Sequence, residues 1–361
     1  MIFNKTGRHI RGNFFFGDDR IETTRQYKYL GFLVTPSGEI NSGLKDLKDR
    51  ALRALHKLKK KMGISFRKNP KTTIKLFRSL IEPILLYASD FWGILKMPSN
   101  NPIETLFMSF CKQLLGVQKQ SMNDGVLLET GQIPMMILAK KRAVKNWARM
   151  AINTNCSVVL RDSYQSSLDG NLVWTENMKT MLSEIGMMQV FTSQDPNAHL
   201  KAFQRLKDIY HQTTFERIKS GDSRLRTYGL FKTTPGFENY LDEIPCIKER
   251  TALTKLRLSN HKLMIEKGRH SSIHRDFRFC PFCPNKVESE KHFLLECQTY
   301  KYLRADLYTE AQTITPTICN QPYDLRFLNL MGPAMTTPVS RFTFKAMELR
   351  DFLLAKYKTT D

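Results

Sequence analysis

The sequence contains no long apolar segment and no secretion signal. No uninterrupted apolar run approaches the ~18 residues that a membrane-spanning helix needs, and the N-terminal MIFNKTGRHI lacks the apolar core of a signal peptide. The seven cysteines are an odd number in a chain of 361 residues, which argues against a secreted disulfide framework. These features predict a soluble intracellular protein, in the nucleus or the cytoplasm.

Acidic residues are also scarce relative to basic ones. The chain has 34 Asp and Glu against 56 Lys and Arg, which gives a formal net charge of +22. The excess is clustered, since residues 41–80 hold thirteen basic and two acidic residues and residues 248–278 hold nine and three. Clustered positive charge is typical of proteins that bind a polyanion, either nucleic acid or an anionic membrane surface. Because no membrane segment is present, we expect RNA or DNA as the partner and no membrane.

The first 35 residues alternate in the manner of β-strands, and Gly17, Asp18 and Asp19 predict a hairpin turn. Polymerases also hold Mg²⁺ on paired aspartates at a turn, but their metal site needs a further aspartate on another strand. Only 16 residues precede Gly17, too few for that strand and its crossover helix. We therefore interpret Asp18 and Asp19 as a solvated turn, and expect no catalytic residues and no Mg²⁺ in this chain.

From Asn41 onward the apolar residues recur every three or four positions, which predicts helices. Leu44, Leu47 and Leu58 mark one face of a long helix whose other faces are basic. Further helices are predicted from Pro70 and from Pro102, and at 134–152, 177–187 and 196–220. Trp92, Trp147 and Trp174 lie among apolar residues at helical spacing, so we expect them in the core. The pattern predicts a mainly α protein with an N-terminal β-hairpin.

The strongest chemical motif is CPFCPNKVESEKHFLLEC, which offers four metal ligands: Cys280, Cys283, His292 and Cys297. Two cysteines on a tight turn, followed by a histidine and a cysteine about one helical turn apart, can bind one structural zinc ion tetrahedrally. The alternative is that the four residues belong to a helical core and share no function. His270 and His274 lie close enough to compete as the nitrogen ligand, but neither follows Cys283 at zinc-loop spacing.

Several stretches occur together in a recognisable order: FFFGDDRIETTRQYKYLGFLV, LKDLKDRALRALHKLKKKM, NPKTTIKLFRSLIEPILLYASDFWG, LTKLRLSNHKLMIEKGR and the cysteine–histidine cluster. In this order they resemble the C-terminal part of reverse transcriptases of non-LTR (LINE-type) retrotransposons, over nearly the whole chain. In that family the metal-binding aspartates and the endonuclease lie before the position of Met1. The resemblance therefore implies a part of the enzyme without its catalytic centre.

The resemblance also implies a division of the chain. A hairpin ending in Tyr29, Leu30 and Gly31 would correspond to the primer grip, which supports the 3′ end of the growing strand. The implied segments are the end of the palm (1–36), a basic helical thumb (37–120), a helical connector (121–260), a CCHC zinc knuckle region (261–310) and a C-terminal loop and helix (311–361).

Two groups of basic residues are the candidates for phosphate contact. One group belongs to the basic helical region, and the other adjoins the cysteine cluster beside Phe279, where charge next to an aromatic ring suits phosphate contact with base stacking. The candidates are Lys57, Lys59, Lys60, Lys61, Arg67, Lys68, Arg269, Arg275 and Arg278. The alternative for both groups is a solvated charged face.

The function predicted from the sequence is nucleic-acid binding without polymerase chemistry. One alternative is an active RNA-directed DNA polymerase in which this chain acts with an upstream palm. Another alternative, from a different class, is a zinc-stabilised scaffold that binds proteins. Salt-sensitive binding to nucleic acid distinguishes the scaffold from the other two.

Overall fold

The computed structural model describes residues 1–2, 12–151, 156–193, 197–220 and 223–358. Residues 3–11 of the predicted 1–36 segment lie outside this range. The described residues are mainly helical with a small β region near the N-terminus, so the predicted fold class is confirmed at this level. Each of the described helices is too short or too polar to cross a membrane.

The chain divides into two compact units, each assembled from several segments. Unit 1 comprises Met1–Gly63, Ile74–Met108 and Ile133–Tyr210. Unit 2 comprises Ile64–Thr73, Ser109–Gln132 and His211–Asp361. The five-segment division drawn from the resemblance stays a prediction.

The β region consists of two separate hairpins, where the sequence predicts one. Strand β1 (Phe14–Phe16) pairs with β2 (Asp19–Ile21), and β3 (Tyr27–Tyr29) pairs with β4 (Phe32–Val34). The second reversal lies at Leu30 and Gly31, whose φ angles are 44° and 88°. A two-residue turn with positive φ at both central residues matches the strand twist. Leucine rarely adopts positive φ, so the sequence pattern does not mark this reversal.

The α-helices of the described residues are numbered in chain order. The first nine are α1 Asn41–Met62, α2 Ser65–Lys68, α3 Pro70–Leu80, α4 Glu82–Leu85, α5 Ser89–Trp92, α6 Pro102–Leu115, α7 Asn123–Thr130, α8 Met135–Ala151 and α9 Val158–Asp169. The others are α10 Val173–Glu184, α11 Gln189–Ser193, α12 Ala198–Lys219, α13 Tyr228–Phe231, α14 Tyr240–Glu243, α15 Ile247–Arg257, α16 Met264–His270, α17 Lys301–Ile314, α18 Tyr323–Met331 and α19 Thr336–Lys358. The helices predicted from Asn41, Pro70 and Pro102 begin at those residues.

The core of unit 1 forms around α1 and around α8. The apolar face of α1, which includes Leu44 and Leu47, is buried and packs against α4 and β4. Helix α8 packs against α5, and Trp92 and Trp147 are fully buried, as the sequence predicts. Trp174 is partly buried and donates its indole N–H to the carbonyl oxygen of Phe91 at 3.0 Å.

Unit 2 is organised around α19, which packs against α15 and α17. A buried ionic network lies on the α15 side. Arg257 donates to carboxylate oxygens of Glu129 and Glu238, each at 2.9 Å, and to the carbonyl oxygen of Met331 at 3.0 Å. The Tyr240 hydroxyl donates to Glu129 at 2.6 Å. Because Glu129 and Arg257 are 0% and 3% exposed, each depends on the other for charge compensation.

Replacing Glu129 by Gln should therefore destabilise the protein strongly, since it leaves the Arg257 guanidinium buried with less compensating charge. We expect a loss of about 3 kcal/mol or more in the free energy of unfolding, measured by urea denaturation. The control is Glu310→Gln, which removes the same charge from an exposed pair with Arg341 and should cost less than about 1 kcal/mol. Equal losses of unfolding free energy in the two variants would show that burial does not make the Glu129–Arg257 pair more important to stability than an exposed pair.

Candidate metal centre

The four predicted ligands converge at one buried point in unit 2. Cys280, Cys283, His292 and Cys297 are all buried, and their ligand atoms lie within 4.8 Å of one another. The Cys297 Sγ is 3.9 Å from the Cys280 Sγ and 3.7 Å from the Cys283 Sγ. Two sulfurs bound tetrahedrally to one zinc ion, each at ~2.3 Å, would be ~3.8 Å apart, whereas disulfide sulfurs are ~2.05 Å apart. The spacing therefore fits three thiolates around one metal ion.

Cys280 and Cys283 are placed by a tight turn. The amide of Cys280 donates to the Lys286 carbonyl oxygen at 2.7 Å, and the amide of Cys283 donates to the Cys280 carbonyl oxygen at 3.3 Å. Asn285 adopts a φ of 56°, which asparagine tolerates better than most residues. An isolated antiparallel bridge between Phe279 and Val287 closes the turn. Both sulfurs are thereby held on the same side of the backbone.

His292 and Cys297 are placed by a single π-helical turn, His292–Glu296. The amide of Cys297 donates to the His292 carbonyl oxygen at 2.9 Å, which is the i to i+5 bond of a π turn. This turn brings residues five positions apart to the same side, whereas an α turn does so for residues three or four apart. The sequence predicts a short helix at this point, and the five-residue spacing requires its π form.

Two neighbouring charged residues support this turn. Arg304 in α17 is buried and donates to the carbonyl oxygens of Leu294 and Cys297 at 2.9 and 2.8 Å. Glu296 lies with Oε2 at 3.2 Å from the His292 Nδ1. The other ring nitrogen of His292, Nε2, is buried without a hydrogen-bond partner in the described residues. A carboxylate on one imidazole nitrogen and a metal on the other is the usual arrangement of a histidine ligand, so Nε2 is available to the ion.

The electrostatics favour the thiolate at Cys297, whereas the adjacent Cys297 side chain raises the pKa of Cys280 and burial raises the pKa of Cys283. The neighbouring Cys280 and His292 side chains lower the pKa of Cys297 and together outweigh burial, which raises it. Burial disfavours the charged form of His292, but the nearby Cys297 and Glu296 side chains raise its pKa above the ordinary value. Thiolates are the form of cysteine that binds metals. Four protein ligands leave no open coordination position, so the site is suited to a structural ion.

The arginines beside the cluster differ in where their charge is directed. Arg278 donates to the carbonyl oxygens of Ile273 and Ile265 at 2.9 and 2.7 Å, so its guanidinium braces the backbone. Arg269 is half-buried and forms an ion pair with Glu266 at 3.1 Å. Arg275 is exposed. Of the three arginines, Arg275 is therefore the most accessible to a phosphate.

The aromatic and histidine neighbours of the cluster are accessible. Phe279 is 38% exposed, so part of its ring faces solvent. His270 and His274 are exposed and lie outside the group of four ligands. The geometry therefore selects His292 as the nitrogen ligand, as the spacing in the sequence predicts.

The candidate residues of the basic helical region fall into two sets. Lys57, Lys60 and Lys61 are exposed on α1, and Lys59 is half-buried, where burial lowers its pKa. Arg67 is half-buried in unit 2 and donates to the Thr251 Oγ1 at 2.7 Å, and burial lowers its pKa. Lys68 is exposed beside it. Accessible positive charge is thus provided mainly by the lysines, while Arg67 is engaged inside unit 2.

The remaining candidates lie in the two N-terminal hairpins. Tyr29 and Leu30 are exposed at the β3–β4 turn, where Arg50 donates to the carbonyl oxygen of Gly31 at 3.0 Å. Asp18 and Asp19 are exposed at the β1–β2 turn. Among the described residues neither belongs to a group of three or more potential metal ligands.

Sequence reasoning missed the long-range partners of the cluster. Arg350 in α19 donates two hydrogen bonds to Glu288, both at 2.8 Å, and these two residues are 3% and 1% exposed. Glu288 follows the Cys280–Cys283 turn directly, so this pair ties the turn to α19. The roles of Arg350 and Arg304 cannot be predicted from their neighbours in the sequence, because the groups that they bond lie in other elements.

Comparisons with known protein families, with curated proteins and with solved structures find no significant match to the chain. The interpretation of the centre therefore depends on its own geometry.

We expect protein purified without chelator to contain about one metal ion per chain, because the four ligands enclose a single point. Cys283→Ser and His292→Ala should each abolish retention of the ion, measured by elemental analysis. Cys246→Ser, at a half-buried cysteine outside the cluster, should retain it. Retention in His292→Ala together with loss in His270→Ala would show that the nitrogen ligand is assigned wrongly.

The Glu296 carboxylate should strengthen the histidine ligand. Replacing Glu296 by Gln keeps its size but removes the charge beside the His292 Nδ1, so metal affinity should fall about tenfold or more. Competition with a chromophoric chelator measures this change. Glu310→Gln, a loss of charge in a pair with Arg341, is the control and should leave affinity unchanged. An equal metal affinity in both variants would show that the Glu296 carboxylate does not strengthen the His292 ligand.

Proposed function

We propose that this chain is the nucleic-acid-binding part of a reverse transcriptase of the non-LTR (LINE-type) class, stabilised by one zinc ion in a CCHC knuckle. The observation that carries the proposal is the exposed positive face at the end of α1. Lys57, Lys60 and Lys61 are exposed there, and the described part of the chain offers none of them an ion-pair partner. Phosphates that bind such a face release condensed counterions, which drives association.

The donor set supports zinc as the ion. Three thiolates and one imidazole form a soft, tetrahedral set, which zinc prefers and which magnesium and calcium avoid. Zinc would hold the turn that bears Cys280 and Cys283 against the π turn that bears His292 and Cys297. Its role is to keep the knuckle folded, and no chemical step is assigned to it.

The surface of the knuckle supports contact with a single strand. Arg275 is exposed and Phe279 is partly exposed in the same short segment. A guanidinium can contact phosphate while an aromatic ring stacks on a base, and together these contacts bind single strands with little sequence preference. We assign Arg275 and Phe279 this role, while Arg278 braces the backbone beneath them.

The order of the quoted stretches along the chain supports the link to reverse transcriptases. The β3–β4 hairpin, with Tyr29 and Leu30 exposed at its turn, supports the primer-grip assignment. The family activity is RNA-directed DNA polymerisation. For this chain we propose binding alone, because Asp18 and Asp19 lie on an exposed turn without a further carboxylate nearby among the described residues.

Affinity for nucleic acid should fall steeply as salt rises. Each phosphate contact contributes ~0.9 to the slope of log K against log salt on duplex DNA and ~0.7 on single strands. Replacing Lys57, Lys59, Lys60 and Lys61 by Gln should flatten the slope and weaken binding to all sequences alike. Fluorescence anisotropy over a salt series measures both effects.

The matched control loses the same charge elsewhere. It replaces four exposed lysines of other segments by Gln: Lys96, Lys145, Lys301 and Lys345. The slope of log K against log salt in this control should lie closer to that of the parent chain than the slope of the α1 variant does. Equal slopes in the two variants would assign the α1 lysines to a solvated face, and absence of salt-sensitive binding in the parent would leave the protein scaffold as the better function.

A further inference from the structure

The β3–β4 turn adopts a backbone conformation that its sequence does not favour. Leu30 and Gly31 have φ angles of 44° and 88°, and this left-handed region is unfavourable for a residue with a Cβ atom, such as leucine. The Leu30 side chain is 74% exposed, so burial of that side chain does not compensate the turn. Such a conformation persists only where neighbouring groups hold it, and it occurs most often at binding sites.

Two side chains from other elements of unit 1 hold this turn through its carbonyl oxygens. Tyr87, which follows α4, donates its hydroxyl hydrogen to the Leu30 carbonyl oxygen. Arg50 on α1 donates to the Gly31 carbonyl oxygen at 3.0 Å, and its guanidinium lies 5.9 Å from the centre of the Tyr87 ring. The Asp46 carboxylate, one turn earlier on α1, orients that guanidinium through an ion pair at 3.1 Å. Arg50 and Tyr87 together are the latch of the turn.

Strand β3 presents two aromatic rings beside the turn. Tyr27 and Tyr29 are two positions apart, so their side chains leave the same face of the strand, ~7 Å apart along it. Tyr27 is 53% exposed and Tyr29 is 62% exposed. Rings at this spacing can each stack on one base of an extended single strand, with little sequence preference. Bases inside a duplex are already stacked on their neighbours, so the two rings favour a single strand.

The positive face of α1 begins at the latch. Lys57 and Lys61 follow Arg50 by seven and eleven residues, which places all three on one face of the helix. The two lysines lie about 10 and about 16 Å along the helix axis from Arg50. Both are exposed, without an ion pair among the described residues. Because β4 packs against α1, the hairpin and this basic face belong to the same packed part of unit 1.

We propose that the hairpin and the basic face of α1 form one track for a single nucleic-acid strand. Tyr27 and Tyr29 stack on adjacent bases, and Lys57 and Lys61 bind phosphates further along the strand. The latch residues are positioning residues, which fix the turn so that the two rings stay at the head of the basic face. This inference rests on the proposed nucleic-acid binding, and it adds a preference for single strands and the residues that create it.

The test uses the full chain with a single-stranded oligonucleotide, as DNA and as RNA, and with a blunt DNA duplex of the same sequence. Tyr27→Ala and Tyr29→Ala should each weaken single-strand binding about tenfold, within the range of one base stack, and change duplex binding by less than about twofold. Fluorescence anisotropy measures these affinities. A 2-aminopurine base placed in turn along the single strand should lose fluorescence at the stacked positions, and Tyr29→Ala should restore it.

The latch is tested with Tyr87→Phe, which removes the hydroxyl that holds the turn and keeps the ring. This change should weaken single-strand binding about two- to tenfold, the range of one hydrogen bond. It should also speed hydrogen exchange in residues 27–34, because the turn opens more often. The loss of binding should shrink when Tyr29 is already alanine, since the latch acts through that ring. A second latch variant, Arg50→Gln, should be coupled to Tyr29→Ala in the same direction.

The matched control is Tyr302→Ala, which truncates an 86% exposed tyrosine of α17 in unit 2 and should bind every probe as the parent does. Losses in Tyr27→Ala and Tyr29→Ala no larger than in this control would overturn the track, while salt-sensitive binding through the α1 lysines would still stand. Additive effects of Tyr87→Phe and Tyr29→Ala would reject the latch. A parent chain that binds none of the probes would reject the proposed function, and the track with it.

Discussion

The fold around the cysteine–histidine cluster of unit 2 depends on how the charge on its buried sulfurs is compensated. Three thiol groups and an imidazole meet in a buried place within 4.8 Å, where negative charge on sulfur is stable only beside a compensating cation. The segment that carries them has few apolar residues of its own, although Phe293 and Leu294 are fully buried. We therefore expect a metal ion at this point to supply much of the local folding free energy, on the order of the ~10 kcal/mol of small zinc modules.

Two glutamates that lie between Cys283 and His292 connect the segment of the cluster to other elements of unit 2. Glu288 pairs with Arg350 of α19, and Glu290 pairs with Arg226 at 3.4 Å and lies 3.2 Å from His261. These buried pairs are expensive to break one partner at a time. Through these pairs the segment 280–297 positions one side chain of α19, Arg350, and one of the turn after α15, His261.

The parts of this structure that could be predicted from sequence are the local ones. The change of apolar period at Asn41 predicts the start of α1, Asn-Pro pairs predict the starts of α3 and α6, and the spacing of four side chains predicts the cysteine–histidine cluster. The residue pattern does not mark the reversal at Leu30, because leucine is an unusual residue at positive φ, and only the resemblance places a hairpin end there. The pairing of Glu288 with Arg350 spans 62 residues, and no local pattern reports it. Charge clusters showed where arginines are, but not that Arg278 and Arg67 direct their guanidinium groups inward.

We propose that the four side chains bind one zinc ion as its complete set of ligands. X-ray absorption at the zinc edge of the purified chain tests it directly, because the spectrum reports the number and type of ligand atoms. We expect three sulfurs at ~2.3 Å and one nitrogen at ~2.0–2.1 Å. A shell with oxygen ligands, a different sulfur count, or a chain that binds no zinc when it is supplied in excess would contradict the account.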